Sequence, residues 1–244
     1  MRILVTRPAL QAVEFAKKIH DMGFKPEIEP MLAIEPLPFS PLKTAPDLIL
    51  LSSQNAVPFL QGLEIDRTTP IIAVGDKTKE LSLEHGYKKI KSISGDAQKL
   101  LQNILTEHPS SFGRILHVSG SNVQIDLAKE LSLRGYDAHQ KAVYRTIPQK
   151  TLSNNVQNLI QSKQLHAATF LSQKTTNAFL SAMRFAQIDE SAIKDLKVYC
   201  LSHNIAALFE KQGAWQINVA PDPTEASLLA LIKRSLHSCG DKKN

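Results

Sequence analysis

The 244-residue chain repeats itself, and that duplication limits its fold more than any other feature of the sequence. Arg2-Ile3-Leu4-Val5 returns as Arg114-Ile115-Leu116-His117-Val118, 112 residues later. At the same offset Ala16-Lys17 meets Ala128-Lys129, Gly23-Phe24 meets Gly135-Tyr136, and Pro36 meets Pro148. A second block returns as well. Leu51-Ser52 reappears as Leu171-Ser172 and Phe59-Leu60 as Phe179-Leu180, both 120 residues later. The apolar run 71–74 reappears at 198–201 and Gly86 as Gly213, both 127 residues later, a drift that loop insertions produce.

Each block reads as strand, loop, helix, glycine, strand. Residues 3–5 form a short apolar run, followed by Thr6-Arg7-Pro8 and by apolar residues at helical spacing, Val13, Ala16, Ile19 and Met22. Gly23 stands where a helix ends in a left-handed residue. The runs at 48–51 and 71–74 are also strand-sized, each followed by polar residues and a helical pattern, the first through Phe59. Short apolar strands alternating with helices make an α/β protein of parallel sheets covered on both faces. The stretches 31–41, with Pro36, Pro38 and Pro41, and 143–149, with Pro148, break the rhythm at equivalent places. Proline donates nothing to a ladder, so they read as extended linkers or edge strands. Spacing leaves the pairing of blocks open: tandem lobes and one lobe inserted in the other use the same elements.

No apolar run approaches the roughly 20 residues of a membrane span, and Arg7 and Pro8 interrupt any signal-peptide core. The expectation is a protein of the cytoplasm with no membrane partner. Cys200 and Cys239 are the two cysteines, too few for a disulfide framework or a metal-ligand spacing. Lys and Arg outnumber Asp and Glu, 29 to 23, but aromatics are only 6% and do not interleave with a basic run. A nucleic-acid partner is therefore not expected. The Lys242-Lys243 tail reads as solvated.

Open parallel sheets bind ligands beyond the carboxyl ends of their strands. The residues after each run are Thr6-Arg7, Ser52-Ser53-Gln54-Asn55, Gly75-Asp76-Lys77-Thr78, Ser94-Gly95-Asp96, Ser119-Gly120-Ser121-Asn122, Ser172-Gln173-Lys174-Thr175, Ser202-His203-Asn204 and Asp222-Pro223-Thr224. Taken singly, each is explained by helix capping. Taken together they offer many donors to a polycarboxylate or phosphate. Glycine-rich nucleotide loops, a nucleophile elbow and a paired-carboxylate constellation are all missing from the sequence. A dehydrogenase, kinase or hydrolase lacks its machinery here.

The same residues resemble the uroporphyrinogen-III synthase family. Met1-Arg2-Ile3-Leu4-Val5-Thr6-Arg7-Pro8 is similar to its opening strand and loop, and Asp47 through Ser52-Ser53-Gln54-Asn55-Ala56-Val57 to its second strand and helix start. Ala73-Val74-Gly75-Asp76-Lys77-Thr78 is similar to its Val-Gly-x-x-Thr loop, Val143-Tyr144-Arg145 to its second crossover, and Pro221 through Leu229 to its last loop and helix. The resemblance implies two flavodoxin-like (Rossmann-like) parallel-sheet domains, one inserted in the other, joined by two extended strands around a cleft and free to move. Domain 1 would comprise 1–33 plus 149–244 and domain 2 would comprise 34–148. It implies an enzyme that cyclises hydroxymethylbilane, a polycarboxylate, with ring D inverted and water lost, and that needs no cofactor; a monomer without a metal is expected.

By the resemblance the bilane gives up its hydroxyl to form an azafulvene and passes through a spirocyclic pyrrolenine. The protein's task is then orientation and charge stabilisation. Tyr144 is the expected assistant to hydroxyl departure and Thr78 the expected donor to the bound tetrapyrrole. Arg7, Ser52, Ser53, Asn55, Gly75, Ser119, Gly120, Ser172, Ser202 and Thr224 are the expected substrate contacts. One loop departs from the family pattern: Ser202-His203-Asn204-Ile205 stands where Gly-x-x-Thr is common. The lobe holding Gly75 and Thr78 is thus expected to make more of the contacts. The competing readings are a non-catalytic binding relative and a nucleotide-sugar enzyme with two Rossmann-like lobes.

Overall fold

Four consecutive buried residues, as in Leu48–Leu51 and Ala167–Phe170, are the mark of strands covered on both faces. The computed structural model describes residues 1–213 and 215–237; Cys239 and the Lys242-Lys243 tail lie outside them. Along the chain, β1 (Arg2–Val5), α1 (Ala9–Asp21), β2 (Lys25–Ile28) and β3 (Leu32–Pro36) come first. Then follow β4 (Leu48–Leu51), two 3-10 helices (Gln54–Phe59 and Gln61–Leu63), β5 (Ile71–Val74), α2 (Asp76–Glu84), β6 (Ile90–Ile93) and α3 (Ala97–Glu107). Next are β7 (Arg114–Gly120), α4 (Leu127–Ser132), β8 (Asp137–Pro148), α5 (Asn154–Gln161), β9 (Ala167–Phe170) and α6 (Gln173–Phe185). The last are α7 (Glu190–Ile193), β10 (Lys197–Cys200), α8 (His203–Glu210), β11 (Gln216–Val219) and α9 (Glu225–His237).

The chain divides into two compact units, Met1–Ala33 with Ile147–Asn244, and Ile34–Thr146. The first holds a five-stranded sheet in the order β11-β10-β9-β1-β2, and all its pairs are parallel. The second holds six strands in the order β3-β8-β7-β4-β5-β6, with parallel pairing from β8 to β6. Without the edge strand β3 the two orders are the same, with β1 matching β7 and β9 matching β4. The first block thus folds with the fourth, and β3 and β8 are the two strands in which the chain crosses between units.

Register sharpens the duplication. Val5 pairs with Thr169 while His117 pairs with Leu50, so Leu50 corresponds to Thr169, Ser52 to Leu171 and Ser53 to Ser172. The Leu51-Ser52 match to Leu171-Ser172 is therefore one residue out. The slip matters, because one residue turns every side chain to the opposite face of a sheet. The serines that open the following helices, Ser53 and Ser172, are the true equivalents.

Two other expectations shift. The buried face of α1 is Ala12, Phe15, Ala16 and Ile19, leaving Val13 66% exposed. A face through Val13 would have carried Lys17 and His20 inward as well. The helix expected through Phe59 is 3-10, with Pro58 inside it. Proline lacks the N–H and crowds the preceding turn, so the 13-residue α-helix of the other unit has no counterpart here. Each sheet is flanked by two apolar clusters; in the first unit Phe170 lies 5.0 Å from Phe179 and 4.7 Å from Phe209, ring centre to ring centre. Among the described residues no helix is long and apolar enough to cross a membrane.

Candidate functional site

Strand order reverses between β1 and β9 in one sheet and between β7 and β4 in the other, and crevices in open sheets lie beyond the carboxyl ends at that reversal. In the unit 34–146 this point gathers Ser52 and Ser53 after β4 and Ser119 and Gly120 at the end of β7. Tyr144 of β8 stands level with them, paired with Gly120. A Cβ on Gly120 would lie 2.8 Å from the Tyr144 ring, so glycine is what lets the tyrosine lie across the strand end. Phe59 stacks on the same ring, 5.9 Å between centres. The residue is only 6% exposed, yet its hydroxyl makes no hydrogen bond to a described residue. The Tyr144 ring thus carries a phenol unbonded by any described residue to a place beside the strand-order reversal.

Gly75, after β5, has φ 79° and ψ 148°, a conformation essentially closed to residues with a Cβ. Its counterpart Ser202 is extended, with φ −154° and ψ 162°, so the two loops part at this residue. Both α2 and α8 nevertheless begin without a side-chain cap. Elsewhere capping prevails. Ser53 accepts from the Asn55 amide, Ser172 from the Thr175 amide at 3.2 Å, and Thr224 from the Ser227 amide at 3.2 Å. Ser119 accepts from Gln140 Nε2 at 2.8 Å and donates to the Gly120 carbonyl.

Two expected donors are occupied. Thr78 is 4% exposed and its hydroxyl donates to the Val74 carbonyl at 2.8 Å, so its single proton is spent on its own loop. Ile205, its counterpart, is also buried. Arg7 is ion-paired with Glu225, which also binds Lys18 at 2.7 Å, and its guanidinium stands 5.4 Å above the Phe15 ring. Cys200 is buried, and burial pushes its thiol up to about 12, so it is no nucleophile.

One residue escaped the sequence reading altogether. His117, inside an apolar run, is 1% exposed, and its Nε2 lies 2.9 Å from Ser52 Oγ. Its Nδ1 is buried and has no partner among the described residues. Burial drives the imidazole down to about 4, the Asp126 carboxylate opposing only in part. The folded protein therefore holds His117 neutral where the unfolded chain, with a pKa near 6.5, takes up a proton. Stability is unaffected above that value and falls as pH drops from about 6.5 to about 4, by roughly 3 kcal/mol in all. Denaturant midpoints across this window are expected to show the loss in the natural protein and not in His117→Val; equal acid sensitivity of the two would place the titrating group elsewhere.

A sequence profile of the family described as Uroporphyrinogen-III synthase HemD matches residues 13–230. No curated protein matches the chain. Among solved structures, the uroporphyrinogen-III synthetase of Helicobacter pylori is similar in fold, with a TM-score of 0.65 and 18% identity over 97% of this chain and 100% of that one. A mutant uroporphyrinogen III synthase of the extremely thermophilic bacterium Thermus thermophilus is similar at 0.53 and 18% identity, over 99% of this chain and 100% of that one. With the profile spanning both duplicated units and the strand-end loops in place, the chain belongs to the uroporphyrinogen-III synthase family.

Proposed function

We propose that this family member closes linear hydroxymethylbilane into uroporphyrinogen III, inverting ring D and releasing water, and that Tyr144 supplies the proton with which the hydroxyl departs. The observation that carries the assignment of Tyr144 is its phenol, unbonded by any described residue, on a ring that lies against Gly120 and Phe59. The phenol donates, the hydroxyl leaves as water, and the phenolate regains the pyrrole N–H proton that azafulvene formation gives up. A positioned proton donor of this kind contributes about 10²- to 10⁴-fold. Closure with inversion then depends on holding the chain's ends in one geometry, which the carboxylate contacts provide.

Ser52, Ser53, Asn55, Ser119 and the uncapped start of α2 behind Gly75 are the proposed carboxylate contacts in the unit 34–146. Arg7, Ser172, Ser202 and Thr224 are the proposed contacts in the other unit, where Arg7 must exchange Glu225 for substrate to take part. That competition weights binding toward the unit with Gly75 and Tyr144. In a bacterium deleted for its own synthase, the chain is expected to restore haem synthesis and growth. Soluble expression without rescue would overturn the proposal.

Thr78 is proposed as an anchor of the Gly75 loop. Thr78→Val is expected to cost about 1 kcal/mol of stability, the worth of one hydrogen bond, and to slow cyclisation less than about tenfold. A rate loss as large as that of a Tyr144 variant would mean that the hydroxyl leaves Val74 and serves the substrate directly.

A further inference from the structure

Side chains two residues apart on a strand share a face, so the pairing of Leu50, His117 and Gln140 puts Ser52, His117, Gln140 and Ser119 on one face of the second sheet. They form a polar row at the strand-order reversal, with His117 joined to Ser52 and Gln140 to Ser119. The duplication supplies an internal control for this row. In the other unit the counterparts of His117 and Ser52 are Val5 and Leu171, which pack in a single apolar cluster. The fold is therefore complete at this point with two apolar residues. The polar version leaves Nδ1 of a buried ring unpaired, which costs stability. Stability does not account for the histidine.

We propose that His117 is a positioning residue whose Nε2–H donates to Ser52 Oγ and thereby turns the serine's own proton outward, toward a carboxylate of the substrate. The proposal rests on the reading of this unit as the binding site for hydroxymethylbilane. The choice of tautomer follows from the orphaned nitrogen. If Ser52 donated to a bare Nε2, the buried and unpartnered Nδ1 would carry the hydrogen. If Nε2–H donates, Nδ1 is only an unfilled acceptor, which folded proteins tolerate more readily than a stranded donor. In that arrangement the half-buried serine still has its proton, and a hydroxyl already accepting one hydrogen bond is polarised as a donor. Gln140 does the comparable service for Ser119, whose proton is turned instead onto the Gly120 carbonyl beside Tyr144.

The test uses the full chain and the variants His117→Val, His117→Gln, Ser52→Ala and the Ser52→Ala/His117→Val double. His117→Val, which restores the other unit's residue, is expected to melt no lower than the natural protein. It is also expected to raise KM for hydroxymethylbilane about tenfold, the loss of one hydrogen bond to a charged group, with the effect on KM exceeding that on kcat. Ser52→Ala should do the same and the double variant no more, since the two side chains act as one unit. His117→Gln, which can present an N–H at the place of Nε2, should recover most of the affinity. An unchanged KM in His117→Val, or additive losses in the double, would overturn the proposal. Nitrogen-15 NMR of the imidazole in the natural protein is expected to show Nε2 protonated, and a bare Nε2 would overturn it without any turnover. Titration with uroporphyrin III, the stable oxidised product, separates the two claims. If the natural protein binds it and His117→Val binds it about tenfold more weakly but no type III product forms, the reaction fails and the positioning role stands. If both bind it equally, the positioning role fails.

Discussion

Tyr144→Phe is expected to slow formation of type III uroporphyrinogen about a hundredfold or more while leaving the fold intact, since a lost general acid costs about 10²- to 10⁴-fold. Phenylalanine keeps the ring that packs against Gly120 and Phe59. The deleted hydroxyl bonds no described residue, so unfolding free energy should move by less than about 0.5 kcal/mol. The two outcomes together are diagnostic. A fall in kcat with unchanged stability is the signature of a group that acts in the reaction. An unchanged rate would remove Tyr144 from the mechanism, and a large drop in stability would make it a packing residue.

Gly120→Ala should come close to the same activity loss by a different route. The added methyl would stand 2.8 Å from Tyr144 Cε2, 2.9 Å from Cζ and 3.2 Å from the hydroxyl oxygen. Phe59 also packs against this ring, so making room for the methyl moves the phenol from its present place. A misplacement of about 1 Å at a reacting group costs about a hundredfold, and forcing a methyl into a packed site costs about 1–3 kcal/mol. Unlike Tyr144→Phe, this variant should therefore lose both rate and stability. Combining the two changes should lower the rate little further, because the alanine acts only through the hydroxyl that phenylalanine lacks. Additive rate losses would show that Gly120 serves the reaction by its own backbone.

The fold was legible where the chain is short-ranged and repetitive. Short apolar runs bounded by polar residues, such as Leu48–Leu51, are strands covered on both faces, and Gly23 and Gly135, with φ 85° and 86°, end equivalent helices as their spacing says. The contrast between Gly75 and Ser202 was readable because glycine alone enters the backbone region that Gly75 occupies. What the sequence does not display is which partners occupy the candidate groups. Arg7 reads as a free cation after a strand, and only the fold brings Glu225, 218 positions away, against it. Thr78 reads as an available donor, although a threonine in a first helical turn can reach back to the carbonyl four residues earlier. His117 reads as one polar letter in an apolar run. The repeat did hold a signal, since Val5 stands in its place, but its meaning needs Ser52 beside it, and the match of Leu51-Ser52 to Leu171-Ser172 hid that pairing by one residue.

The reaction itself is open to a direct measurement. Freshly prepared hydroxymethylbilane closes spontaneously to the type I isomer, and only inversion of ring D gives type III. Incubation with the purified chain, oxidation to the porphyrins and chromatographic separation of the isomers is expected to yield type III in excess, at a rate proportional to protein concentration. Type I alone, at the spontaneous rate and from protein that is folded, would contradict the assignment and leave a binding relative of the synthases.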